Sequence, residues 1–116
     1  MTPIQTRIHT FSELGKFLNQ FSRKGIQKQE NILNNEWFFD GFKHQMKLAQ
    51  ENNTWFTQEN ILFSLESWSK ALKKENLEKW LSNESLPSKN SDKKVAIVMA
   101  GNIPLVGFHD FLSVLI

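Results

Sequence analysis

Apolar positions recur at helical spacing through most of this chain. Thr10-Phe11-Ser12-Glu13 has the form of a capping box, a hydroxyl three residues ahead of a carboxylate, and predicts a helix start there. Phe11, Leu14, Leu18 and Phe21 follow on one stripe, and Ser22-Arg23-Lys24-Gly25 supplies the basic last turn and glycine of a helix end. The residues before Thr10 carry little pattern.

A longer helix is expected from about Gln29 to Gln50, with Ile32, Trp37, Phe38, Phe42, Met46 and Ala49 as its apolar surface. Gly41 weakens the case for an unbroken helix. After the polar Glu51-Asn52-Asn53-Thr54, Thr57 is placed to cap a further helix, along which Ile61, Leu65, Trp68 and Leu72 recur. A short helix from Glu75 to Leu81 would bury Leu77, Trp80 and Leu81.

Residues 82–92 are rich in Ser, Asn and Lys around Pro87 and read as a surface connection. Val95 to Met99 is then continuously apolar and β-branched at three of its five positions. That is how a strand buried on both faces of a parallel sheet reads. Ala100-Gly101-Asn102-Ile103-Pro104 breaks the run, and Leu105, Phe108, Phe111, Leu112 and Leu115 return at helical spacing. The expected organisation is a helical leader over residues 1–81, a polar connection over 82–93, and a strand–turn–helix unit over 94–116. A strand apolar on both faces needs neighbours that no other run here supplies, so the chain is expected to be the amino-terminal piece of a longer protein.

Composition narrows the function classes. With 116 residues, 40% of them hydrophobic, the chain is suited to folding rather than disorder. Fourteen basic and twelve acidic residues give a net charge of +2, too mild to argue for nucleic acid. The chain has no cysteine, which excludes disulfides, thiolate metal sites and a cysteine nucleophile within it, and fits a cytoplasmic setting. No secretory leader is visible at the amino terminus. The apolar end does not read as a membrane anchor, because Asn102, Pro104, His109 and Asp110 interrupt it. A central Asp alone costs roughly 2.5 to 3.5 kcal/mol on insertion.

The stretch Ala100 to Ile116, AGNIPLVGFHDFLSVLI, closely resembles the acyl-CoA reductase family, the fatty-acid reductases of bacterial bioluminescence, a branch of the aldehyde dehydrogenase superfamily. The superfamily's turn commonly reads Pro-Trp-Asn-Phe-Pro, and Asn102 and Pro104 stand at the matching places. Thr54 to Thr57 and Asn76 to Leu81 are also similar to the family's helical leader. The resemblance implies an α/β fold of the aldehyde dehydrogenase type, to which these mostly helical residues contribute one buried parallel strand near 95–99.

It further implies NADPH-dependent reduction of a fatty acyl-CoA or acyl-protein thioester to an aldehyde through an acyl-cysteine intermediate. Asn102 would be the oxyanion donor, and Met99, Ala100 and Gly101 the backbone beside the nicotinamide. Gly101 stands where the common pattern has Trp. The nucleophile would lie beyond Ile116, so these residues alone are expected to be inactive. A homo-oligomer or a partner acyl-transfer enzyme would be compatible with such a protein.

Blander roles compete at several positions. Asn102 also suits a turn on conformational grounds alone. His109 and Asp110, about 100° apart on a helix, are assigned to its polar side rather than to an acid–base pair. His9 and His44 have no partner at zinc-ligand spacing. Four Trp and ten Phe could line an acyl-chain tunnel, but their helical spacing assigns them to a core. The rival function is a small helical interaction module that docks through its apolar carboxyl-terminal helix.

Overall fold

The computed structural model describes residues 2–86, 92–100 and 105–116. Among these, the chain forms α1 (Pro3–Leu18), a two-stranded antiparallel ribbon of β1 (Phe21–Ser22) and β2 (Gly25–Ile26), α2 (Asn35–Asn52), α3 (Gln58–Ala71), α4 (Lys74–Leu81) and α5 (Phe108–Leu115). It is a mostly helical unit.

The first helix is capped eight residues earlier than Thr10. Thr2 caps it: the Thr2 hydroxyl accepts from the Gln5 N–H at 3.2 Å, and the Gln5 side chain accepts from the Thr2 N–H at 2.8 Å. Pro3 at the first helical position loses no hydrogen bond, because that N–H would have had no helical partner. Thr10 lies mid-helix and donates its hydroxyl to the Thr6 carbonyl instead. Ile8, Phe11, Gly15 and Leu18 form the buried stripe.

Ser22 to Gly25 does not end a helix. Arg23 and Lys24 make the turn between two short strands, with Phe21 opposite Ile26 and Gly25 at φ +130°. Phe21 is fully buried, stacked on Phe39 at 5.2 Å and tilted against Phe42 at 4.8 Å and Phe17 at 5.6 Å. Tertiary packing of one ring against three others overrides the local helix-end signal.

The α1–α3 crossing is set by Gly15. A Cβ there would stand 2.9 Å from Leu72 Cβ and 3.4 Å from the Ser69 carbonyl oxygen, so only a bare Cα lets the two backbones approach this closely. Leu65, Leu72 and Leu77 fill the space around the crossing. The Thr57 cap forms as expected, its hydroxyl accepting from the Asn60 N–H at 3.1 Å, and Ile61, Leu65 and Leu72 are buried. Leu77 and Leu81 anchor α4, whereas Trp80, expected in the core, stays partly exposed with its ring 6.3 Å from that of His109.

Among the described residues, no strand forms over 95–99, where a buried parallel strand was expected, and the one sheet is the β1–β2 ribbon. Val98 is 96% exposed and Val95 and Met99 are about half exposed. Apolar, β-branched residues confer strand capacity, but a strand exists only where a neighbour takes up its backbone groups, and no described segment does so. The carboxyl-terminal helix packs back on the leader. Leu112 and Ile116 are buried, Trp68 meets Phe108 edge-on at 4.6 Å, and Arg7 donates to the Ile116 carbonyl at 3.3 Å.

Candidate functional site

The residues assigned chemical roles from the sequence fall at one end of the chain. Asn102 and Gly101 lie outside the described residues. Met99 and Ala100 are described and exposed. The Met99 side chain covers Gly107, occupying the space where a Cβ would stand, so the start of this stretch and the entry to α5 are in contact. Leu105, at φ +58°, and Val106 precede Gly107, and the helix begins at Phe108 rather than Leu105.

Residues 95–99 have no strand beside them, so no sheet edge presents its N–H groups, and the Met99 side chain is already packed on Gly107. His109 is exposed, with its ring between Trp68 at 6.5 Å and Trp80 at 6.3 Å. Among the described residues no group of three His, Cys, Asp or Glu side chains is placed to hold a metal ion. No described helix is long and apolar enough to cross a membrane.

A second site was not foreseen from the sequence: an apolar groove of about 740 Å³ between α1, α2 and α5. Phe11, Leu14 and Leu18 of α1, Trp37 and Phe38 of α2, and Phe111 and Leu115 of α5 line it. Trp37 is 79% exposed and Phe38 60%, so the apolar surface expected of this helix is only partly spent on the core. The core takes Met46, as expected, and Phe39 in place of Trp37 and Phe38.

The groove wall is fixed by a buried pair of amides. Gln20 Nε2 donates to Asn35 Oδ1 at 2.8 Å, and Asn35 Nδ2 donates to Gln20 Oε1 at 2.6 Å. Each amide spends its remaining N–H on a carbonyl, Phe17 for Gln20 and Gln29 for Asn35, both at 3.0 Å, and Gln20 Oε1 also accepts from the Gln29 N–H. Among the described residues no buried side-chain polar atom lacks a partner. This closed network sets where α2 starts, six residues later than Gln29, and it locks the loop in which Asn31 and Asn34 take positive φ. It therefore places Leu33, Trp37 and Phe38 along the groove.

Gly41 is the sequence signal that could have found the groove. It sits in mid-helix and lines the cavity, and a Cβ there would meet nothing within 4 Å.

A scan against protein-family models found no match, and searches of curated proteins and of solved structures returned none either.

Proposed function

We propose that the chain is the amino-terminal part of an NADPH-dependent reductase of fatty acyl thioesters, with a fold of the aldehyde dehydrogenase type, acting in the cytoplasm. The observation that carries this reading is the wording of residues 100–116, which resembles that family at Asn102, Pro104 and through the following helix. The formation of α5 from Phe108 to Leu115 accords with it.

In the chemistry proposed, a cysteine thiolate adds to the thioester carbonyl of an acyl-CoA or acyl-protein substrate. Its oxygen gains negative charge, and the Asn102 side-chain amide donates a hydrogen bond to it. The thiol of CoA or of the carrier then leaves, and the acyl group remains on the cysteine. No cysteine is among the 116 residues, so the reading requires it elsewhere in the polypeptide, and these residues alone should be inactive. Met99, Ala100 and Gly101 would lie beside the nicotinamide once Val95 to Met99 gains strand neighbours. An oligomer or a partner acyl-transfer enzyme is compatible with this role.

In the alternative, an interaction module docking through α5, the exposed Phe111, Val114 and Leu115 would supply the docking face, while Leu112 and the adjoining Ile116 are buried against the chain's own leader.

The test is acyl-CoA-dependent oxidation of NADPH by the product of the complete reading frame, for wild type and Asn102→Ala. The reading expects turnover to fall by about 100- to 1000-fold in the variant. No acyl-dependent oxidation, or an unchanged variant, would contradict it.

A further inference from the structure

We infer that Met99 is a redox modification site: a hydroperoxide converts its thioether to the sulfoxide, and the change loosens α5 from the helical leader. Two methionines lie among the described residues, and they differ in access. Met46 is buried at 6% exposure, whereas Met99 is 48% exposed. A thioether is oxidised where the oxidant can reach it, so Met99 reacts first.

Position gives that reaction a consequence. Gly107 stands at the cap of α5 and has no side chain to bond the N–H groups of the first turn. The Met99 side chain covers it instead, with Sδ 2.7 Å from the point that a Cβ on Gly107 would take. The sulfur is therefore packed on the backbone where the helix begins. An eight-residue helix is too short to persist on propensity alone, so α5 depends on its contacts. Those are the burial of Leu112 and Ile116, the edge-on meeting of Phe108 with Trp68, the Arg7 hydrogen bond to the Ile116 carbonyl, and Met99 at the amino end.

In the reaction an S–O bond forms and the peroxide O–O bond breaks. Sulfur gives up two electrons, the peroxide is reduced, and the proton stays with the departing oxygen, which leaves as water or an alcohol. The sulfoxide is bulkier and polar, so it favours water over the apolar seat on Gly107, and α5 loses the cover at its first turn. Reduction of the sulfoxide restores the thioether, so the site can cycle.

This modification does not depend on the reductase reading and can be followed without substrate or cofactor. The experiment is treatment of the 116-residue chain with hydrogen peroxide, with peptide mass mapping of Met46 and Met99 and hydrogen exchange of the α5 amides. Oxygen should be gained at Met99 before Met46, and exchange over residues 108–115 should quicken by about fourfold or more, the worth of roughly one buried methylene group. Met99→Leu, apolar and of similar volume, should keep α5 protected under peroxide. Met99→Gln places a polar group on Gly107 and should quicken exchange with no peroxide added. Oxidation of Met46 as fast as Met99 overturns the proposal, as does α5 exchange that stays unchanged in the oxidised wild type or in Met99→Gln. So does equal loss of α5 protection in peroxide-treated Met99→Leu, which would assign the effect to another residue.

Discussion

The two sides of α1 are built from similar residues and end in opposite states. Toward α3, Gly15 lets the backbones close until Leu72 is wholly buried; toward α2, Gly41 faces open space and Trp37 is left 79% exposed. One glycine is explained by what it touches. The other is not, although both carry the same penalty in a helix interior, about 1 kcal/mol relative to alanine. The difference teaches that a helical fold with aromatics to spare need not close every apolar face, and that the unclosed one is where function should be sought.

The largest expected effects come from breaking the closed side and sparing the open one. Phe21→Ala removes the ring on which Phe17, Phe39 and Phe42 converge and should cost roughly 3 to 5 kcal/mol in denaturant unfolding. Trp37→Ala removes a larger side chain and should change stability by no more than about 0.5 kcal/mol, because most of its surface is already in water. Equal losses at the two positions would mean that the groove wall is core after all.

A smaller effect tests the tie between the ribbon and α3. Arg23 donates to Glu66 at 2.9 Å and lies over the Phe63 ring at 4.8 Å, and Lys70 approaches the other carboxylate oxygen at 3.5 Å. The Arg23 hydrogen bond is the main cause holding the Glu66 carboxyl below its ordinary pKa. A depressed folded-state pKa contributes stability that is present above the ordinary carboxylate value and is lost as pH falls through the lowered one. Melts of wild type and Glu66→Gln should therefore differ slightly near neutrality and converge in acid. The pair is solvent-screened, so added salt should shrink the gap as well.

Much of the helical content was legible because it is local. The α3 stripe of Ile61, Leu65 and Leu72 and its Thr57 cap depend on residues within a few turns of one another. What was illegible is non-local. The Gln20–Asn35 amide pair joins residues fifteen apart with no periodic signature, and the first helix was misplaced because Thr2-Pro3-Ile4-Gln5 is a better cap than Thr10 to Glu13. Trp37 and Phe38 were read as core because periodicity reports which residues share a face and not whether that face is covered. Val95 to Met99 shows the same limit, since strand capacity is written in the residues while pairing belongs to whatever lies alongside. Of the assigned site, Met99 and Ala100 are seen as exposed chain next to α5, and Gly101 and Asn102 fall outside the described residues.

The most direct test of the contrast between the two sides is a pair of thermal melts, Gly15→Ala and Gly41→Ala, each against wild type. Gly15→Ala should lower the melting temperature by several degrees, since a Cβ 2.9 Å from Leu72 Cβ forces the helices apart at a cost of roughly 1 to 3 kcal/mol, exceeding the helical gain. Gly41→Ala should raise it by a few degrees, gaining up to about 1 kcal/mol of helix propensity with no clash. Opposite signs are the predicted result. A fall in both would show that Gly41 is needed by the fold itself and would contradict the account of an open groove.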